Sequence, residues 1–132
     1  MSQTPITSYG QEFLVIDMHN LFVSTTLADE ILVLGGLNFI EEEIVTICAK
    51  FGINVSASRT LTSYSGGEQA IICCVMIMCL LSDQNLSILL VHILETLSEH
   101  NRQQLLAEFR ITRPLVNLFT LGPGGPQPIA HV

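Results

Sequence analysis

The feature that most constrains this chain is the unbroken apolar run Ala70–Leu81, AIICCVMIMCLL, which directly succeeds Tyr64-Ser65-Gly66-Gly67-Glu68-Gln69. Its twelve residues fall short of the about 20 that a membrane-spanning helix needs. The next apolar stretch, Leu86–Leu94, is separated from it by Ser82-Asp83-Gln84-Asn85, a turn sequence, so the two do not join into one span. Wound as a helix, the run places Ile71, Cys74, Val75 and Met78 on one face and Ile72, Cys73, Met76, Ile77 and Cys79 on the others. A helix apolar on every side is a central, buried one.

The start of that helix is polar. Ser65 followed three residues later by Glu68 fits a capping box, in which the Ser hydroxyl and the Glu carboxylate each satisfy a backbone N–H. Such a cap contributes about 1 kcal/mol. It does not account for Gly66-Gly67, since each glycine costs about 1 kcal/mol relative to Ala in a helix interior, and less at an end. Glycines there open bare N–H donors, at the positive end of the helix dipole, to an approaching anion. Two readings stay open at this point: a cap alone, or a cap that also receives an anion.

Around this segment the pattern alternates between strands and helices. Residues 1–11 read as a lead-in, 12–121 as one α/β domain, and 122–132, rich in Gly and Pro, as a tail. Glu12–Val23 reads as a strand with Leu14, Ile16 and Met18 on one face. Thr25 or Thr26 caps a short helix that Gly35-Gly36 ends. Asn38 caps another, with Ile40, Ile44, Ile47 and Phe51 as its core stripe and Gly52 as its stop. The run Glu41-Glu42-Glu43 suits the positive helix end; consecutive side chains diverge, so it reads as a solvated face rather than a metal site. Ile53–Val55 reads as a short strand, LSILLVHIL as a buried one, and Ser98–Phe109 as a helix. Pro114 opens a final strand, PLVNLFTL. The last strand–helix–strand is one βαβ unit with parallel strands.

Composition narrows the partners. The chain is 48% hydrophobic and only 13% charged, with mean hydropathy +0.51. A surface this short of charge favours a partner-covered face or a homo-oligomer. Five Lys and Arg against twelve Asp and Glu leave no basic patch, which disfavours direct nucleic-acid binding. The opening MSQTPITSYGQE lacks the basic and apolar regions of a secretory signal. Cys48, Cys73, Cys74 and Cys79 lie in apolar segments outside any CxxC, where thiols behave as small hydrophobes; disulfides and zinc are not expected, and a reducing, intracellular and cytoplasmic setting is.

Thr62–Gln69, TSYSGGEQ, resembles the signature loop of ABC-type ATPases, of the form L-S-G-G-E/Q. The downstream register is similar too: an apolar helix at Ala70–Leu81, a strand at Ile88–His92, and Asn101-Arg102 near the start of the next helix. Phe51–Val55 resembles the strand that feeds this loop in SMC-type heads. The resemblance covers residues 51 to 120 and implies a degenerate C-terminal lobe of an ABC/SMC head: a small mixed or parallel sheet around a central buried helix. In that family the Ser hydroxyl and helix start contact the γ-phosphate of ATP held by the opposite subunit. Carried over, that role falls to Ser65, Gly66, Gly67 and Gln69.

The departures concern the chemistry. Val91 stands where the family has its magnesium-linked Asp, His92 where it has the catalytic Glu, and Ser98 where it has the D-loop Asp. The last strand runs into Leu121-Gly122 rather than a switch His. No G-x-x-x-x-G-K-[ST] occurs, and Val91 offers magnesium no oxygen. The expected function is thus a non-catalytic interaction module without cofactor or metal, docking on a protein partner or a second copy, with an ATPase subunit as one such partner. The alternative is a ligand-binding domain or enzyme on an unrelated α/β fold using Asp17, His19 and His92. Asp17 and His19 are spaced to pair on one strand face. His92 reads as a structural histidine bonded to backbone, with Glu95 as a candidate partner. His100 and His131 read as exposed. For the alternative to hold, Asp17, His19 and His92 must converge in a pocket.

Overall fold

The computed structural model describes residues 5–8, 11–35 and 38–129. The chain divides into two compact units, one of residues 1–21 with 82–132 and one of residues 22–81.

The first unit is built on a five-stranded mixed sheet in the order β1-β2-β3-β4-β5. Its strands are β1 (Pro5–Ser8), β2 (Gln11–Asp17), β3 (Ser87–Val91), β4 (Asn117–Gly122) and β5 (Gly125–Pro128). The central three run parallel, and β1 and β5 close the edges antiparallel. This is an α/β fold with a small mixed sheet. Ile88, Leu89 and Leu90 are all buried, as in a parallel strand covered on both faces. Phe13, Leu14 and Ile16 are buried on β2, and Phe13 meets Phe119 edge-on with ring centres 5.1 Å apart. Between β3 and β4 lies α4 (Glu99–Thr112), capped by Ser98, whose Oγ accepts from the Asn101 N–H at 3.1 Å. The expected βαβ unit is therefore present, with β3 and β4 parallel.

Several boundaries differ from the sequence expectation. The first strand stops at Asp17, because Asn20 N–H closes a turn on Asp17 O at 2.9 Å. Pro114 and Leu115 form a turn and β4 begins only at Asn117. β1 lies within the stretch read as a lead-in, and β5 within the Gly/Pro-rich stretch. Both exist through hydrogen bonds to a neighbour, which no local pattern announces.

The second unit holds α1 (Leu27–Val33), α2 (Asn38–Ala49) and α3 (Gly66–Leu80). Thr26 caps α1, its hydroxyl accepting from Asp29 N–H at 3.2 Å. Gly35 and Gly52, with φ of +77° and +75°, lie just past α1 and α2 in the left-handed conformation that glycine adopts at no steric cost; Gly36 lies outside the described residues. Asn38 is the first helical residue of α2 rather than a residue before it, and its side chain lies outside the described residues. Ile40, Ile44 and Ile47 are buried as expected, and α2 packs on α3. Ile53–Val55 forms no strand: Ile53 and Val55 are buried, but their backbone finds no ladder partner. Glu30 is fully buried, and its carboxylate accepts from the N–H groups of Val23 at 3.1 Å and Ser24 at 2.7 Å. It thereby pins the loop ahead of α1.

Every side chain from Ala70 to Cys79 is buried, as the all-round apolar pattern requires. No described helix is long and apolar enough to cross a membrane.

Candidate functional site

Two places in the molecule carry polar groups in arrangements that the core does not need. The first is the start of α3. Ser65 has extended backbone (φ −64°, ψ 163°), and its Oγ accepts from Glu68 N–H at 3.2 Å while Ser65 N–H donates to Glu68 Oε1 at 3.0 Å. Both halves of the capping box are formed. Gln69 reaches back, its Nε2 donating to Tyr64 O at 2.9 Å. Ahead of the cap, the Tyr64 hydroxyl accepts from Ser56 N–H at 3.0 Å, and the Arg59 guanidinium lies 4.0 Å over the Tyr64 ring. Arg59 Nε also donates to Ser63 Oγ at 2.8 Å. The Ser/Thr/Arg linker is thus an ordered lead into the helix, ending in one 3₁₀ turn, Leu61–Ser63.

Gly66 and Gly67 do not have positive φ, so backbone conformation does not require glycine at either position. Ser65 and Gly66 are exposed. The site residues named from the sequence, Ser65, Gly66, Gly67 and Gln69, therefore stand together at one exposed helix start.

The second place is the carboxyl end of the parallel strands. The register pairs Asp17, the last residue of β2, with Val91, the last residue of β3. Met18 N–H then donates to Val91 O at 3.0 Å, tying the two strand ends together. Just beyond, His19 N–H donates to Asp17 Oδ1 at 3.0 Å, and His19 Nδ1 lies 3.5 Å from that same oxygen. His92 Nδ1 and Glu95 Oε2 are hydrogen-bonded at 3.1 Å. The two imidazoles meet edge to face, with ring centres 5.6 Å apart and planes at 80°. Asp17, His19 and His92 thus converge, and Glu95 joins them.

His92 departs from its sequence reading. Its side chain is 51% exposed and bonds a carboxylate rather than backbone. It is also the one described non-glycine residue with positive φ, at 60°. The chain leaves β3 there and turns at once into the 3₁₀ segment Leu94–Thr96, with Thr96 Oγ1 donating to His92 O at 2.9 Å. His19 is more open still, at 78% exposure, so the cluster is surface rather than cleft. His100 is exposed as expected, and His131 lies outside the described residues.

The sequence carried a faint sign of this cluster. FLVIDMH and SILLVH are both apolar strand runs that end in titratable residues. Only the parallel pairing of β2 with β3 puts the two ends side by side.

Among the described residues, those of this cluster included, no group of three or more His, Cys, Asp or Glu side chains is placed to hold a metal ion. All four cysteines are buried and none is in a disulfide; burial pushes the Cys48 thiol up to about 12 and Cys74 well above its ordinary range. Val91 and His92 present no carboxylate at the end of β3, and Ser98 serves as the cap of α4. Leu121-Gly122 lies inside β4. No protein-family model matches this sequence, and no curated protein matches it either.

Proposed function

We propose that this chain is a non-catalytic interaction module, a degenerate relative of the signature-bearing lobe of ABC/SMC ATPase heads. It docks on a protein partner, and where that partner is an ATPase subunit, Ser65, Gly66, Gly67 and Gln69 complete the partner's nucleotide site in trans. The observation that carries this reading is the capped double glycine, exposed at Gly66, at the start of a helix buried from Ala70 to Cys79. Neither the cap nor the backbone conformation calls for glycine there, whereas close approach of a phosphate does. Two features agree with it. After the helix, the strand–helix–strand order of β3, α4 and β4 matches the family's sequence register. At the family's metal-linked and catalytic positions stand Val91 and His92, which hold no magnesium and leave hydrolysis to the partner.

The test begins with the partner recovered on this chain from its native host. The partner's ATPase rate is then measured with the wild-type chain and with Ser65→Arg, whose long cation fills the approach to the helix start. Loss of stimulation, with the variant's circular dichroism unchanged, supports the reading in trans. Equal stimulation by both chains discards it, and ATP turnover by the purified chain alone discards the non-catalytic module.

A second reading rests on one observation, the convergence of Asp17, His19 and His92. The cluster lies at the carboxyl ends of the parallel strands β2 and β3, on the surface rather than in a pocket. On this reading the sheet unit carries a small-ligand site of its own.

A further inference from the structure

We infer that the imidazoles of His19 and His92 form a surface site for one divalent transition-metal ion, such as Zn²⁺ or Cu²⁺. This inference rests on the small-ligand reading of the sheet unit and names its ligand. It is independent of any partner ATPase.

Three observations converge on it. The first is the pairing of the rings. Two imidazoles sharing one ion through bonds of about 2.0–2.1 Å bring their ring centres to about 5–6 Å. The centres of His19 and His92 are 5.6 Å apart without any ion. The second is the occupancy of the ring nitrogens. His92 Nδ1 bonds Glu95, and His19 Nδ1 faces Asp17. No described residue engages either Nε2. A carboxylate on one ring nitrogen, with the other left to the ion, is the usual setting of a metal-binding histidine, because it fixes the tautomer and raises ligand basicity. Glu95 is a positioning residue for His92 in this arrangement, while Asp17 Oδ1 accepts from the His19 backbone N–H and lies 3.5 Å from its Nδ1.

The third observation is the backbone at His92. A branch-free glycine would occupy φ 60° without steric cost, yet a bulky imidazole stands there. Strained non-glycine residues gather at binding sites, where the side chain is worth the conformation. The positive φ falls where the chain turns off β3, beside the Met18 N–H to Val91 O hydrogen bond that ties β2 and β3 together.

Two protein nitrogens do not enclose an ion, in keeping with the lack of any three-residue cluster among the described residues. Water completes the coordination, which leaves the ion accessible to a further ligand. Imidazole nitrogen suits zinc and copper and is a poor ligand for magnesium or calcium.

The experiment uses the full chain without an affinity tag. Zn²⁺ is titrated calorimetrically, and Cu²⁺ is added for electron paramagnetic resonance, in which coordinated nitrogens split the copper signal. The expected result is one ion per chain and splitting from two imidazoles. His19→Ala and His92→Gly are each expected to weaken binding at least tenfold. Glu95→Gln is expected to weaken it by roughly 10–100-fold, the usual effect of removing an outer-shell partner. His92→Gly relieves the positive φ, so its melting temperature stays at or above that of the wild type, and its loss of binding is not a loss of fold. Absence of saturable Zn²⁺ binding overturns the proposal. So does binding that survives both His19→Ala and His92→Gly, since the ion then sits elsewhere. A saturable site lost only on His100→Ala overturns it equally. If the ion fails but another small ligand perturbs the His19 and His92 resonances, the small-ligand reading stands without this inference.

Discussion

Helices α3 and α4 begin alike and continue differently. Ser65 caps one and Ser98 the other, each through an Oγ that accepts from the N–H three residues on, at 3.2 and 3.1 Å. Beyond the cap, α3 is buried from Ala70 to Cys79, whereas α4 buries only Leu105, Glu108 and Phe109. α4 holds its exposed first turn with Glu99, which accepts from Arg102 Nη1 at 3.3 Å and Gln103 Nε2 at 3.0 Å. α3 places two glycines there instead. The cap is a local device and tolerates either body. The residues of the helix body decide whether it is core or cover, and neither the cap nor the backbone φ accounts for the Gly66-Gly67 start of α3.

The largest test of the contrast puts the same change in both helices. Met76→Asp, fully buried in α3, is expected to cost several kcal/mol and abolish cooperative unfolding, because a carboxylate there finds no partner. Ile111→Asp in α4, at a side chain 76% exposed, is expected to cost less than about 1 kcal/mol. Urea denaturation compares them directly, and equal costs would break the distinction.

Thiol chemistry probes the burial of the helical unit by another route. Cys48 is raised from 9.0 to about 12 by desolvation, so below pH 9 its folded thiolate fraction is roughly a thousandfold lower than in the unfolded chain. Alkylation of Cys48 at pH 8 is therefore expected to require unfolding, read by mass spectrometry with and without urea. The folded state holds this proton more tightly, so its contribution to stability is full below pH 9 and is lost as pH rises toward 12. Rapid labelling of Cys48 in the native chain would contradict the burial.

The smallest effect sharpens the comparison of the caps. Ser65→Ala and Ser98→Ala are each expected to destabilise by about 1 kcal/mol. The two costs are expected to match, because the Ser65 backbone N–H that donates to Glu68 Oε1 is kept in the alanine variant. Gly67→Ala is expected to stabilise by up to about 1 kcal/mol, since the backbone there has no need of glycine. A destabilising Gly67→Ala would mean that packing at the helix start, rather than ligand approach, requires the glycine.

The elements legible in the sequence are those specified within a few residues. Thr26, Ser65 and Ser98 announce their helices because a cap is a hydrogen bond to a neighbour three positions away. β3 announces itself through a short apolar run between turn residues, the pattern of a strand covered on both faces. β1 and β5 do not, because four residues of each are strand only by virtue of their pairing. Ile53–Val55 shows the converse: a strand-like pattern stays irregular where no edge is offered. At the candidate sites the same division holds. Ser65–Gln69 is one contiguous segment and is readable as such, while Glu95 is only a candidate beside His92 until the turn after β3 brings its carboxylate to 3.1 Å.

By itself the sequence determined a buried core helix with a polar, glycine-opened start, an α/β alternation, and the lack of a carboxylate at Val91 and His92. Each comes from the periodicity, capping and residue chemistry of contiguous segments. Only the tertiary structure decided that five strands form one mixed sheet, that Glu30 is buried against backbone donors, and that His19 and His92 face one another. Those outcomes depend on which strand pairs with which and in what register. Pairing is a choice among distant segments made by the burial of the whole chain, and no short stretch contains it.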